Sequence, residues 1–354
     1  MASPYTRTTE IAGPVNVVFQ KNLLRNAKPR CPYFIGSTPA SIAEHEGSFT
    51  AKWRRYNNLT PVTTALAELT GNISHPVRDA VQQTVTDVTK AVAKYGNHLL
   101  LNEEVDLINF NNQSMKLSEV LGINAGQSLN RLQRDELEDN ATQIMNNGAA
   151  AVNVNTILAK GKIRHAVNVI KGLVATEFMP RTTGNTSVGT SPIREAFWGI
   201  CHYDVEEDIR DMTGFIAVEK YAGQTQTASG EFGAVSGVRF IASSEGTIDL
   251  NVGAVGGTDV RQTTASKADL YYTIILGKDA VGSLGLGSSH LKEIYQAGDK
   301  LPAVMMINHP RGSSGIADPY NEVSTLAWKS WHGAKILNAD WIRTIISAAT
   351  DLSN

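Results

Sequence analysis

The clearest hydrophobic pattern lies near the C-terminus. From Val323 to Leu337, apolar and polar positions alternate with the period of a β-strand. Leu326, Trp328, Ala334 and Ile336 fall on one face and Lys329, Trp331 and Lys335 on the other. A flexible turn (Gly312, Ser313, Ser314, Gly315) and Asp318-Pro319 precede this strand. Asn338, Ala339 and Asp340 supply turn chemistry after it, so Trp341, Ile342, Ile345 and Ile346 are expected to run back along the same ribbon. An apolar ribbon of this length predicts a structural sheet and not a catalytic loop.

Residues 48–57 alternate in the same way, with Phe49, Ala51 and Trp53 on one side and Lys52, Arg54 and Tyr56 on the other. Residues 84–95 carry two conflicting signals. Val81, Val85, Val88, Val92 and Tyr95 have helical spacing, whereas the density of β-branched Val and Thr favours a strand. The strongest helical period covers Ser114–Asn147, through Leu117, Leu121, Ala125, Leu129, Leu132, Leu137, Ala141 and Ile144. Arg131 with Asp135, and Arg134 with Glu138, are i,i+4 pairs on its wet side, and Asn146, Asn147 and Gly148 end it. At 1.5 Å per residue this helix would span roughly 50 Å and act as a spine.

A second helix is predicted over Thr156–Glu177, with Ile157, Ile163, Val167, Ile170 and Val174 as its stripe. The polar stretch Thr182–Pro192 reads as a subdomain boundary. Beyond it the pattern predicts a strand (Ala196–Cys201), a short acidic helix (Val205–Met212) and a strand (Gly237–Ser243). A Gly/Thr/Ser-rich insertion (244–269) and strands at Tyr271–Leu276 and Ala303–Asn308 follow. Residues 1–44 show no sustained period. Lys21, Arg25, Lys28 and Arg30 make them mildly basic, as suits a solvated arm or one lying along a neighbour or nucleic acid.

At 354 residues the chain can bury a substantial core and is long enough for two subdomains. Charged residues make up only 19%, with Gly, Ser, Thr, Asn and Gln in their place, which suits a surface largely covered by neighbours. A net charge of −2 argues against a dedicated nucleic-acid binder. Cys31 and Cys201 are far apart and lack CxxC partners, so no disulfide framework is expected. No run of 18 apolar residues predicts a membrane span, and Met1–Glu10 lacks the apolar core of a signal peptide.

Catalytic chemistry is hard to find. The histidines at 45, 75, 98, 165, 202, 290, 309 and 332 form no short metal-ligand spacing. Cys201 and His202 are adjacent on a strand and point to opposite faces, which predicts a buried thiol beside a surface histidine and not a dyad. Glu206, Glu207, Asp208 and Asp211 sit at a helix start, where acids favour the positive dipole end. The glycines at 253, 256 and 257 and at 282, 285 and 287 do not open a helix after a strand, and no GxSxG elbow exists. No catalytic residue, cofactor or metal is expected.

Five stretches, taken in order, resemble one family. They are WRRYNNL (Trp53–Leu59), TSPIREAFWGICHYDVEEDIRD (Thr190–Asp211), GEFGAVSGVRFIASSE (Gly230–Glu245), ILGKDAVG (Ile275–Gly282) and ADPYNEVSTLAWKSWHGAKILN (Ala317–Asn338). Together they are similar to the major capsid proteins of short-tailed bacteriophages of the N-four type, within the Hong Kong 97-like capsid fold. The resemblance implies an α+β fold and settles 84–95 as a strand. It implies an N-terminal arm (1–44), an extended hairpin loop (45–97) and a peripheral domain (98–190) with spine helix 114–147. An axial domain (191–317) with the 244–269 insertion follows, and long strands (318–354) return to the peripheral sheet.

Such subunits form pentamers and hexamers of an icosahedral head, a virion component assembled in the host cytoplasm, around double-stranded DNA held weakly and without sequence preference. Scaffolding, portal and decoration proteins are possible partners. The absence of a long charged prefix predicts a separate scaffold or none. Phe49, Lys52, Trp53, Arg54 and Arg55 are the expected inter-subunit contacts, the aromatics packing on a neighbour and the cations pairing with its acids. A cellular nanocompartment shell of the same fold, and an α/β enzyme with the insertion as a lid, are the alternatives.

Overall fold

The computed structural model describes residues 31–42, 48–63, 65, 81–108, 113–178, 195–221, 228, 230–257, 259–263, 266–286, 304–313 and 318–352. Most of the expected arm, the linker Thr182–Pro192 and the histidines at 45, 75 and 290 lie outside them. The chain begins with strands β1 (Ser37–Ile42), β2 (Thr50–Tyr56), β3 (Val85–Ala91) and β4 (Ala93–Asn102). Helices α1 (Glu103–Ile108) and α2 (Gln113–Asn140), strand β5 (Thr142–Met145) and helix α3 (Lys160–Gly172) come next. Then follow β6 (Phe197–His202), α4 (Glu206–Arg210), β7 (Ile216–Ala217), β8 (Glu231–Val235), β9 (Val238–Ser243) and β10 (Ile248–Asp249). The last are β11 (Leu270–Leu276), β12 (Val281–Leu286), β13 (Val304–His309), β14 (Val323–Ile336) and β15 (Ile342–Ser347).

Strand β14 organises a five-stranded sheet. One of its edges carries β4 from Val323↔Asn102 to His332↔Ala93. The other is shared end to end by β13, from Thr325 to Ser330, and β12, from His332 to Ile336. The alternation read from the sequence holds: Leu326, Trp328, Ala334 and Ile336 are buried. Leu326 and Trp328 join Leu121, Ala125 and Leu129 of α2 and Phe34 in one apolar cluster, and Trp328 Nε1 donates to Asn124 Oδ1 at 2.9 Å. Helix α2 is therefore the expected spine, roughly 42 Å long over its 28 residues.

The spine stops earlier than its apolar period. Thr142–Met145 leave the helix and pair in parallel with β15, Ile144 opposite Ile345. Pairing with the buried β15 outcompetes the seven further residues of helix expected up to Asn147, helped by β-branched Thr142 and Ile144. Strand β15 likewise does not run back along β14. The Asn338–Asp340 turn carries it into a second sheet, where it lies between β5 and β11 with all six residues buried.

That second, eight-stranded sheet runs β5-β15-β11-β6-β9-β8-β7, with β10 on β11. One apolar cluster packs α3 (Ile163, Ala166, Val167, Ile170) and Ile209 of α4 against it. Another, including Tyr33, Leu137, Trp198, Ile274, Val281, Ile336 and Ile342, joins it to the first sheet. Helix α3 is shorter than the predicted Thr156–Glu177: Ile157 forms a bridge with Ala348, and Val174 is exposed at φ 58°. Strands β12 and β13, from the 191–317 stretch, pair with β14, whereas β5 and β15 pair into the other sheet, so the two layers are not consecutive in sequence.

The insertion 244–269 lies along this second sheet. Val260 bridges Thr350, and the Asn251 amide donates to Asp269 at 2.9 Å. Its first residues are tied to the spine: Glu245 accepts from Gln127 at 2.8 Å and Arg131 at 2.6 Å, and Arg134 donates to the Glu245 carbonyl at 2.5 Å. Arg131 thus pairs across the fold, with Glu245 in place of the expected Asp135. Arg134 keeps its i,i+4 partner Glu138 at 3.7 Å.

Candidate assembly surface

Strands β2 and β3 form a two-stranded sheet of their own, antiparallel from Thr50↔Ala91 to Tyr56↔Val85. Asn57 and Thr84 extend the ladder by one bond of 3.1 Å, and Gln83 donates to the Asn57 carbonyl at 2.7 Å. A two-stranded ribbon is marginal by itself and needs a surface to lie on. Its base has one within the chain. A Cβ added at Gly282 of β12 would sit 3.0 Å from the Trp53 ring and 3.1 Å from Leu337. One added at Gly333 of β14 would meet the Ala91 carbonyl at 3.0 Å. Two glycines thus open a seat on the five-stranded sheet that the ribbon fills. Lys90 of β3 and Lys335 of β14 both reach Glu136 of the spine, at 3.7 and 3.0 Å.

The five expected contact residues divide. Trp53 is half-buried against its own chain. Lys52 and Arg54 share Asp87 of β3, at 2.5 and 2.9 Å. Hydrogen bonds from Arg54, then from Lys52, hold the Asp87 carboxyl down at about 2. Phe49, at 63% exposed, is out in solvent, and Arg55 has no ion pair among the described residues. Beyond the base, Tyr56, Leu59, Val62, Val81 and Val85 are exposed as well. A monomer gains nothing by displaying this much apolar surface on a projecting ribbon.

A second exposed apolar region lies at the far end of the same sheet. Helix α1 buries none of its residues: Val105, Leu107 and Ile108 are exposed beside Leu100 of β4 and Tyr320. It is anchored by the Glu103 amide, which donates to the Glu322 carbonyl at 2.8 Å, and by Arg311, which pairs with Glu103 at 3.2 Å and with Asp106. The sequence reading did not single this region out. The apolar residues of VDLI, interrupted by one acid and packed into less than two turns, were the available signal.

The residues screened for chemistry are held in structural roles. Cys201 is fully buried, and burial pushes its thiol well up; burial likewise takes the Cys31 thiol to about 12. Neither is poised as a thiolate nucleophile. His202 is not on the surface as expected but buried at 2% exposure. Its Nδ1 accepts from the Asp204 amide at 3.2 Å, and burial lowers its pKa despite the nearby Asp204 carboxylate. Asp204 in turn takes the Tyr271 hydroxyl at 2.9 Å and Arg261 of the insertion at 2.8 Å. Among the described residues no group of three or more His, Cys, Asp or Glu could hold a metal ion, and no helix is long and apolar enough to cross a membrane.

The fold defines a class: the arrangement of hairpin, spine helix and two interlocked sheets is the Hong Kong 97-like fold of phage capsid proteins. The capsid of Ralstonia phage GP4 superposes with a TM-score of 0.59 at 11% identity, covering 90% of this chain and 89% of that one. The capsid of cyanophage P-SCSP1u gives 0.52 at 12%, covering 88% and 86%, and the head of Helicobacter pylori bacteriophage KHP40 gives 0.52 at 12%, covering 89% and 87%. No protein-family model and no curated protein matches the chain.

Proposed function

We propose that this chain is the major capsid protein of a tailed bacteriophage, self-assembling as pentamers and hexamers into an icosahedral head that encloses double-stranded DNA. The observation that carries this reading is structural likeness to phage shells over about nine-tenths of the chain, in a subunit that exposes apolar side chains on its hairpin and at α1. The five sequence blocks favour a short-tailed phage of the N-four type. The five-stranded sheet with α2 serves as the peripheral domain and the eight-stranded sheet as the axial domain. The outer part of the hairpin, with Tyr56 and Arg55, lies on the peripheral sheet of the adjacent subunit and the exposed Phe49 meets it from the base, while Trp53, Lys52 and Arg54 stiffen that base. Exposed ion pairs contribute only about 0–1 kcal/mol each, so ring stability comes from apolar ribbon area repeated around each capsomer.

Negative-stain imaging and sedimentation of the purified protein, expressed alone and within its phage, test the proposal. Closed shells holding nuclease-resistant DNA in the phage are the expected result. A protein that stays monomeric at high concentration, or particles filled with enzyme in place of DNA, would overturn it.

A further inference from the structure

Helix α3 reads KGKIRHAVNVIKG. Ile163, Ala166, Val167 and Ile170 are buried in the core, which leaves Lys160, Arg164, Asn168 and Lys171 in a row along the outside, four, four and three residues apart. Lys160, Lys162, Arg164 and Lys171 give the helix four formal cations and no acid, in a chain of net charge −2.

An open depression of about 320 Å³ runs along that row, lined by Lys160, Arg164, Val167, Asn168, Lys171 and Ser236. Two of its cations are already held. Lys160 donates to the Thr213 carbonyl, and Lys171 pairs with Glu177 at 2.6 Å while lying over the Phe197 ring. Arg164 and Asn168 have no hydrogen-bond or ion-pair partner among the described residues. The Ser236 hydroxyl, set at a turn with φ 54°, is buried and makes no hydrogen bond. A guanidinium fork and a side-chain amide therefore line one depression whose walls contain no acid, with the Ser236 hydroxyl lying beneath its surface. That is the donor set a tetrahedral oxyanion takes.

We propose that this depression seats a phosphate group of a nucleic-acid backbone, and that the outer row of α3 lies against packaged double-stranded DNA. The source of the phosphodiester rests on the shell reading above; the chemistry of the site does not. From Lys160 to Lys171 the row is roughly 16 Å long, enough for two or three phosphates of one strand. Each neutralised phosphate makes log K fall by about 0.9 per decade of salt, which predicts a slope of about −2 to −3.

The test titrates the full-length protein with a labelled mixed-sequence DNA duplex of about 20 base pairs over a salt series. Arg164→Glu is expected to lower affinity at low salt by about tenfold or more and to flatten the slope by about one, while Arg164→Lys retains most of the binding. Arg164 is exposed, so both variants should melt with the wild type. Unchanged duplex affinity in Arg164→Glu would overturn the site. Displacement of the duplex by inorganic phosphate at constant ionic strength would reassign it to free phosphate. Displacement by polyglutamate more effective than by unlabelled duplex would reassign it to an acidic protein. Sedimentation of the same preparations reads the shell separately. Particles of normal size with lost duplex affinity support both proposals. Arg164-dependent binding by a protein that never forms particles leaves the site standing and ends the shell reading.

Discussion

Replacing Glu138 by Gln should make the protein more stable at alkaline pH and leave it unchanged in acid. Glu138 projects from the spine, 5% exposed, with its Oε1 unpartnered and Arg134 3.7 Å from its other oxygen. Burial raises its carboxyl to about 7, overcoming the opposing pull of the Thr247 hydrogen bond and of Arg134. In the unfolded chain the group titrates near 4.5. Between these values the folded state holds a proton that the unfolded state has released, so its favourable contribution is complete below about 4.5 and is lost as pH rises through about 7. A difference of about 2.5 pH units, at about 1.4 kcal/mol each, sets a ceiling of about 3.4 kcal/mol. Glutamine keeps the shape and removes the charge, so Glu138→Gln should be about 2–3 kcal/mol more stable than wild type near pH 8 and equal to it near pH 4–5. Urea unfolding followed by tryptophan fluorescence, with both proteins matched for assembly state by sedimentation, measures the gap. A gap of constant size across this range would refute the desolvation argument.

His332 should act in the opposite direction. Buried at 1% exposure beside Phe34, it is lowered by desolvation to about 4, so stability present above about 6.5 is lost as pH falls toward 4, by up to about 3 kcal/mol. His332→Leu should flatten that acid limb in the same assay, and an unchanged limb would assign it to other groups. Glu231 and Arg239 form an ion pair at 2.6 Å with side chains 0% and 9% exposed, so Glu231→Gln should cost about 3–5 kcal/mol by removing the carboxylate that offsets a buried guanidinium's charge, as a thermal melt would show. Trp53→Ala removes a half-buried ring from the hairpin base. It should lower subunit stability by no more than about 2 kcal/mol but slow particle formation, and particles in normal yield by sedimentation would count against the hairpin as an assembly element.

Much of this molecule was legible from period and parity. The faces of β14, the strand 50–56 and the spine from Leu117 to Leu137 all follow from alternation or helical spacing, whereas 85–91 carried both signals and was settled as a strand by the resemblance alone. What sequence could not settle was destination. Ile342–Ser347 is buried on both faces, and a strand of that kind reads the same whichever sheet receives it. Ile144 satisfies both the end of a helical stripe and a short strand, and only its pairing with β15 decides. Lys52 and Arg54 were expected to meet a neighbour's acids, whereas both hold Asp87 across their own hairpin, a partner visible only once the register is known. The phosphate row on α3 was hidden differently: it was read for its apolar stripe, and its charge was averaged into a near-neutral total.

Three times among the described residues the backbone passes between the two sheets without a break, at the end of α2, through Gly277–Ala280 and through Asn338–Asp340, and a continuous apolar cluster fills the space between. A brick mortared in this way has no internal joint. In a closed container built from it, any adjustment of curvature, whether on filling or on switching between five-fold and six-fold rings, would have to be absorbed at the seams between molecules and by the outer reach of the hairpin.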